Sequence, residues 1–256
     1  RKKDVILGPG VNIYRVPLNG RNFEYMGEDP YLASVMVQPY IKGIQENDVA
    51  ACVKHYALNN QEIDRGHINV EVSDRALREI YLPAFKAAAD AGAWSFMGAY
   101  NQYKNQHCCH NEYLNAILKE EWAWDGAFMT DWGGCHDTEQ AVKNGLDLEL
   151  GTYTNGLTTE SKFDYNQYYL ADPFLHGLQS GKYNQAQLDD KVRRILRLML
   201  RTNLKSPRAW GSLATKEHAQ AAKKIAEGGM VLLKNDAQIL PIAEAPKTLA
   251  VIGENA

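Results

Sequence analysis

The 256-residue sequence has no apolar run approaching the roughly 20 residues needed to span a bilayer. Cysteine is scarce. The four present, Cys52, Cys108, Cys109 and Cys135, have neither zinc nor disulfide-framework spacing, and adjacent Cys108 and Cys109 are poorly placed to bond each other. Histidine and cysteine lack ligand spacing, so no metal is expected, and nothing calls for a cofactor. Excess positive charge is also missing: the net charge is −3 and no basic stripe appears, which argues against nucleic acid as a partner. Internal repeats and low-complexity segments are absent, and no signal-peptide pattern opens the chain. Arg1-Lys2-Lys3 leads straight into Val5-Ile6-Leu7, and the sequence closes on Leu249-Ala250-Val251-Ile252-Gly253. It therefore reads as a segment cut at both ends.

What is present suffices for a sizeable core. At 45% hydrophobic and 23% charged residues, the length fits one α/β barrel or two smaller domains. Strands are predicted at Asp4–Leu7, Val49–Val53, Trp94–Met97, up to Asp131, and at Leu146–Leu150. Helices are predicted from about Tyr31 to Gln45, from the Ser73 cap to Asp90, and from Asn111 to Glu121. Further helices follow at His136–Asn144, Gln185–Arg201 and Thr215–Val231, with a less regular stretch at Tyr153–Gly181. This β-α alternation implies a parallel sheet with crossover helices, and polar residues after strand after strand favour the barrel version. Thr248–Ile252 looks like the first strand of a new domain, with the boundary between about Leu204 and Leu240.

One stretch organises the rest: Gly126-Ala127-Phe128-Met129-Thr130-Asp131-Trp132-Gly133-Gly134. Its apolar run stops at a carboxylate, an indole and two glycines. That pattern describes a buried parallel strand delivering Asp131 to the edge of the sheet where ligands bind. A rigidly held carboxylate suits a nucleophile toward an electrophilic carbon. The competing role for Asp131 is to cap the helix that follows. Other strand ends carry Arg21 in the loop Asn19–Pro30, Lys54-His55, the polar loop Asn60–Arg65, and Met97 to Asn101 with Tyr100. Donors such as these suit a polyol, although a loop ion pair (Arg21 with Glu24, Glu28 or Asp29) is equally compatible, and the 60–65 loop taken alone reads rather as a solvated loop with internal ion pairs.

The motifs Leu7-Gly8-Pro9-Gly10-Val11-Asn12-Ile13, Gly20-Arg21-Asn22-Phe23-Glu24, Glu28-Asp29-Pro30, Lys54-His55-Tyr56, Asn59-Asn60-Gln61-Glu62 and Met129-Thr130-Asp131-Trp132 resemble glycoside hydrolase family 3, above all its β-glucosidases. The resemblance implies a (β/α)8-type, TIM-like barrel over residues 1–204, incomplete at its N-terminus. A linker at 205–240 and the start of a truncated α/β sandwich domain at 241–256 would follow. It implies Asp131 as nucleophile of a retaining mechanism and Trp132 beside the scissile sugar. Arg21, Lys54, His55, Arg65 and Tyr100 would hold the sugar hydroxyls, with Met97 lining the pocket. The implied substrates are β-glucosides or short oligosaccharides, and a secreted or periplasmic location is favoured. The family's general-acid glutamate would lie beyond Ala256, so a second domain or another chain is expected to complete the site. Alternatives are a β-xylosidase or a catalytically impaired sugar-binding fragment. An N-acetylglucosaminidase branch, with a His–Asp acid/base pair, fits less well, because Arg65 stands two residues before His67. A barrel aldolase using Lys54 as a Schiff-base nucleophile is a reading from a different class.

Overall fold

Apolar runs without polar alternation form strands covered on both faces, and the longest is β2 (Ala50–Tyr56), where only Lys54 escapes full burial. The computed structural model describes residues 3–151, 165–202, 210–242 and 248–254. It divides into two units, Arg1–Ala209 and Trp210–Ala256. In the first, β2 pairs with β1 (Val5–Ile6) on one side and β3 (Ser95–Gly98) on the other, and β3 pairs with β4 (Ala127–Met129). All three pairings are parallel, so each new strand is added at the same edge, and the described strands do not close on themselves.

Registration sets Cys52 beside Ser95, Phe96 beside Phe128 and Met97 beside Met129. One face of the sheet, with Ala51, Val53, Phe96 and Phe128, packs with Val37 and Ile41 of α1 (Pro30–Gln45) and Phe85 of α2 (Pro83–Asp90). The other face gathers Ala50, Cys52, Met97, Ala127 and Met129. Close approach forbids side chains in places. A Cβ on Gly98 would sit 2.8 Å from Cys109 Cα, and one on Gly126 would sit 2.2 Å from the Trp124 ring.

The helix starts follow their caps. Asp29, Ser73, Asn111, Asn184 and Thr215 each accept a backbone N–H of the turn that follows. Gln185–Arg201 forms as expected, but the Ser73 and Asn111 helices are not continuous α. Each widens into a π turn, Leu77–Tyr81 and Ile117–Glu121, the first just before Pro83, which has no N–H to continue the ladder. The helix expected at His136–Asn144 is α3 (Thr138–Lys143), and Asp137 caps it, accepting from Gln140 N at 2.8 Å. Asp131 is therefore not its cap.

Other differences have local causes. Lys54 and His55 lie inside β2 rather than after it, because Gly8–Asn12 run on beside them. Val11 N donates to Lys54 O at 2.8 Å, and the Asn12 amide bonds both backbone groups of His55, at 3.0 and 2.8 Å. The strand expected at Leu146–Leu150 shrinks to one bridge, Met129 to Leu148, because side chains replace two of its rungs. Asp147 Oδ2 takes Phe128 N at 2.8 Å and Thr130 Oγ1 takes Leu150 N at 2.8 Å. A short sheet of Asn69–Val70, Gln102–Tyr103 and Gln106–His107 was not expected. Its hairpin turns at Lys104 and Asn105, both at positive φ (51° and 61°) without the usual glycine. Of the stretch expected to be irregular, residues 153–164 lie outside the described residues, and the remainder contains a helix, Asp172–Gln179. In the second unit, a helix spans Lys216–Gly228. Residues 248–252 form no strand there: they are exposed and pair with no other described segment.

Candidate active site

Strand β4 ends at Met129, and the next residues turn tightly. Gly133 N donates to Leu150 O at 2.8 Å and Gly134 N to Asp131 O at 3.0 Å. Asp131 emerges 8% exposed, with Oδ1 accepting from Trp132 N at 2.8 Å. Its other oxygen, Oδ2, lies 3.7 Å from His55 Nε2, too far for a hydrogen bond. His55 is 1% exposed, and its Nδ1 lies 3.2 Å from the Tyr25 hydroxyl. With Tyr25 donating, the ring proton sits on Nε2 and faces the carboxylate. Burial, then the charges of Arg21, Lys54 and Arg65, hold His55 well below its ordinary pKa, so the ring is neutral. His55 Nε2 and Arg21 Nη1 are both buried polar atoms without a hydrogen-bond partner.

The cations around this centre are held by two glutamates. Glu24 binds Arg21 Nε at 2.6 Å through one oxygen and Lys54 Nζ at 3.2 Å through the other. Glu62 binds Arg65 Nη1 at 2.6 Å, and the Arg65 guanidinium lies 4.7 Å from the centre of the Tyr100 ring. Tyr100 donates its hydroxyl to Trp132 O at 2.7 Å. Burial and the Asp131 charge push its phenol above the ordinary range. The Trp132 indole is 36% exposed beside Asp131.

Seven of the eight residues singled out from sequence thus join one network: Arg21, Lys54, His55, Arg65, Tyr100, Asp131 and Trp132. Met97 stands apart. It is 1% exposed and packs among Cys52, Ala127 and Met129, so it supports the floor rather than opening to solvent. The loop ion pairs weighed against function are present, as Arg21–Glu24 and Arg65–Glu62. Glu24, Asn12 and Tyr25, which contact Arg21, Lys54 and His55, were not singled out from sequence, although Asn12 and Glu24 stand in the quoted motifs. His67 does have a carboxylate partner, Asp64, three residues back rather than two, with Nδ1 to Oδ1 at 2.9 Å. That pair is far more exposed, with 86% of the His67 side chain open to solvent. Among the described residues no group of three or more His, Cys, Asp or Glu is placed to hold a metal. Chemically, the centre offers one anchored carboxylate, a buried imidazole facing it, nearby cations paired with glutamates, and an exposed indole.

Residues 3–198 match the model of the glycosyl hydrolase family 3 N-terminal domain. The chain is 56% identical to the beta-glucosidase BoGH3A of Bacteroides ovatus, covering 100% of this chain and 35% of that protein. It is 37% identical to an exo-alpha-(1->6)-L-arabinopyranosidase of Bifidobacterium longum, covering 99% of this chain and 33% of that one. Among solved structures, beta-glucosidase 3B from Thermotoga neapolitana in complex with glucose superposes with a TM-score of 0.83 at 36% identity. That superposition covers 94% of this chain and 33% of the other. The chain spans about a third of the length of the curated relatives it matches.

Proposed function

This chain belongs to glycosyl hydrolase family 3, and on that premise we propose that it carries the nucleophile and the sugar-binding half of an exo-acting, retaining β-glucosidase. The observation that carries the reading is the Asp131 carboxylate 3.7 Å from His55 Nε2, a buried donor that lacks a partner, as does Arg21 Nη1 of the neighbouring Glu24 ion pair. Unpaired buried donors are costly unless a ligand completes them, and a glucose ring presents several hydroxyls to do so. The four parallel strands are then part of a (β/α)8-type barrel, with the site at its usual face.

Asp131 Oδ2 attacks the anomeric carbon as the glycosidic C–O bond breaks, forming a glycosyl ester. A general acid protonates the departing oxygen, then takes a proton from the water that opens the ester, which returns Asp131 and releases the sugar. Glu24 and Glu62 are committed to cations, which suits them to orienting Arg21, Lys54 and Arg65 rather than to giving a proton. As the family resemblance implies, the acid is assigned to a residue outside 1–256, in keeping with relatives that are much longer. The His67–Asp64 contact supports a second reading, with His67 as that acid. Lys54 is arranged as a charged donor beside Glu24, which counts against a Schiff-base nucleophile. The whole protein should turn over an aryl β-glucoside, with an aryl α-L-arabinopyranoside assayed beside it for the specificity of the second relative. Asp131→Asn should retain less than about a tenth of kcat, a barrier rise above ~1.4 kcal/mol. His67→Ala should leave cellobiose turnover within about threefold of wild type, and a loss near 10²-fold would move the acid to His67.

A further inference from the structure

Three histidines, which sugar binding does not use, stand behind the Asp131–Trp132 turn. Beyond Gly134 the chain reaches His136, whose backbone N–H donates to His110 Nε2 at 3.2 Å. His110 is buried, its Nδ1 lies 3.0 Å from Gln140 Oε1, and its carbonyl accepts from Asn144 Nδ2 at 2.9 Å. Gln140 lies in α3 and Asn144 just after it. A ring that accepts at Nε2 while donating at Nδ1 is the neutral Nδ1–H tautomer. Burial, with His107 and His136 beside it, outweighs the Gln140 bond and the Asp137 charge and holds His110 down to about 4.

His107 closes a circuit around the same turn. Its ring stacks on His136 with centroids 3.9 Å apart and planes 28° off parallel. Its Nδ1 lies 3.0 Å from the Tyr100 carbonyl, and Tyr100 donates to Trp132 O at 2.7 Å. Two hydrogen bonds and a ring stack thus link Tyr100 and His107 to the two ends of the chain segment Trp132–His136. His110 joins that segment to α3, and Asp131 immediately precedes it.

We propose that His110, backed by His107, is a positioning residue: it fixes the Asp131–Trp132 turn so that the carboxylate meets the anomeric carbon in line. The inference rests on Asp131 being the nucleophile. Strand β4 stops before Asp131, and the last bonds holding its ladder are those of Thr130 to Leu148 and Leu150, so beyond Thr130 the backbone is placed by these contacts and the two glycine N–H bonds. A misplacement near 1 Å can cost on the order of 10²-fold in rate.

The test uses the whole protein and a dinitrophenyl 2-deoxy-2-fluoro-β-glucoside, following formation of the covalent adduct on Asp131. His110→Leu removes both ring bonds at similar volume, whereas His110→Gln can accept from His136 N–H and donate toward Gln140. For a folded His110→Leu variant, the saturating labelling rate should fall about tenfold or more, with reagent binding within about threefold. His110→Gln should recover most of that rate, a recovery that loss of stability alone does not produce. His107→Ala, at a less buried position, should slow labelling in the same direction and covers the case of a Leu variant that does not fold. Unchanged labelling in folded His110→Leu or His107→Ala, or a change confined to binding, overturns the inference while leaving Asp131 in place. A wild type that turns over glucosides but is labelled elsewhere overturns the nucleophile assignment, and the inference with it.

Discussion

Lys54 combines a structural contact with the proposed role in holding a sugar hydroxyl. Its ammonium is 3.2 Å from Glu24, which also grips Arg21 at 2.6 Å, so one carboxylate aims two cations. Hydrogen bonds to charged donors contribute roughly 1.5–3 kcal/mol each. Lys54→Ala should therefore lower kcat/KM for a glucoside about tenfold or more, and less for an analogue lacking the contacted hydroxyl. Equal losses on both substrates in parallel assays would leave Lys54 only as the partner of Glu24. The placement of Asp131 was legible in the sequence because an apolar strand that halts at a polar residue delivers it to the edge of a parallel sheet, whereas Lys54 and His55, expected after their strand, lie inside β2. Glu24 and Asn12 were less legible. Their bonds to Lys54 and His55 cross 30 to 43 residues of chain, and no periodicity records such a contact. Arg65 came from family resemblance alone, since a polar loop gives no sign of which member faces an aromatic ring.

Elements with strong ends were read well, and those completed by distant side chains were not. Caps such as Asn184 and Thr215 mark helix starts through purely local hydrogen bonds. The segment Leu146–Leu150 has the composition of a strand, yet Asp147 turns inward and replaces part of its ladder. Lys119 meets that carboxylate at 2.7 Å, and both side chains are almost wholly buried. Removing one partner of a buried pair leaves an uncompensated charge, at a cost of about 3–5 kcal/mol. Asp147→Ala should therefore lower unfolding stability by about that amount in a urea titration, provided the main transition stays two-state. A loss under ~1 kcal/mol would mean that Lys119 finds water or another carbonyl when Asp147 is gone.

At the scale of the molecule, buried neutral histidines tie stability to pH. His55 and His110 are depressed below the ordinary value of 6.5, His110 to about 4, chiefly by burial. Between those values the unfolded chain binds protons that the folded one refuses. Stability should thus be complete above about pH 6.5 and fall as pH drops toward 4. Thermal melts across that range test this, and His110→Gln should flatten part of the slope. A midpoint that does not move between pH 7 and 4.5 would contradict both burial and neutrality. The parallel α/β class was legible from the order of strands and helices; the position of the last expected strand was not, since residues 248–252 have no described partner. The proposed function converges on the carboxylate after β4. The most direct measurement is peptide mass spectrometry of the whole protein after a fluorinated glucoside has trapped the intermediate. The glycosyl ester should be found on Asp131. A stable label on any other residue, with Asp131 unmodified, would contradict the mechanism at its centre.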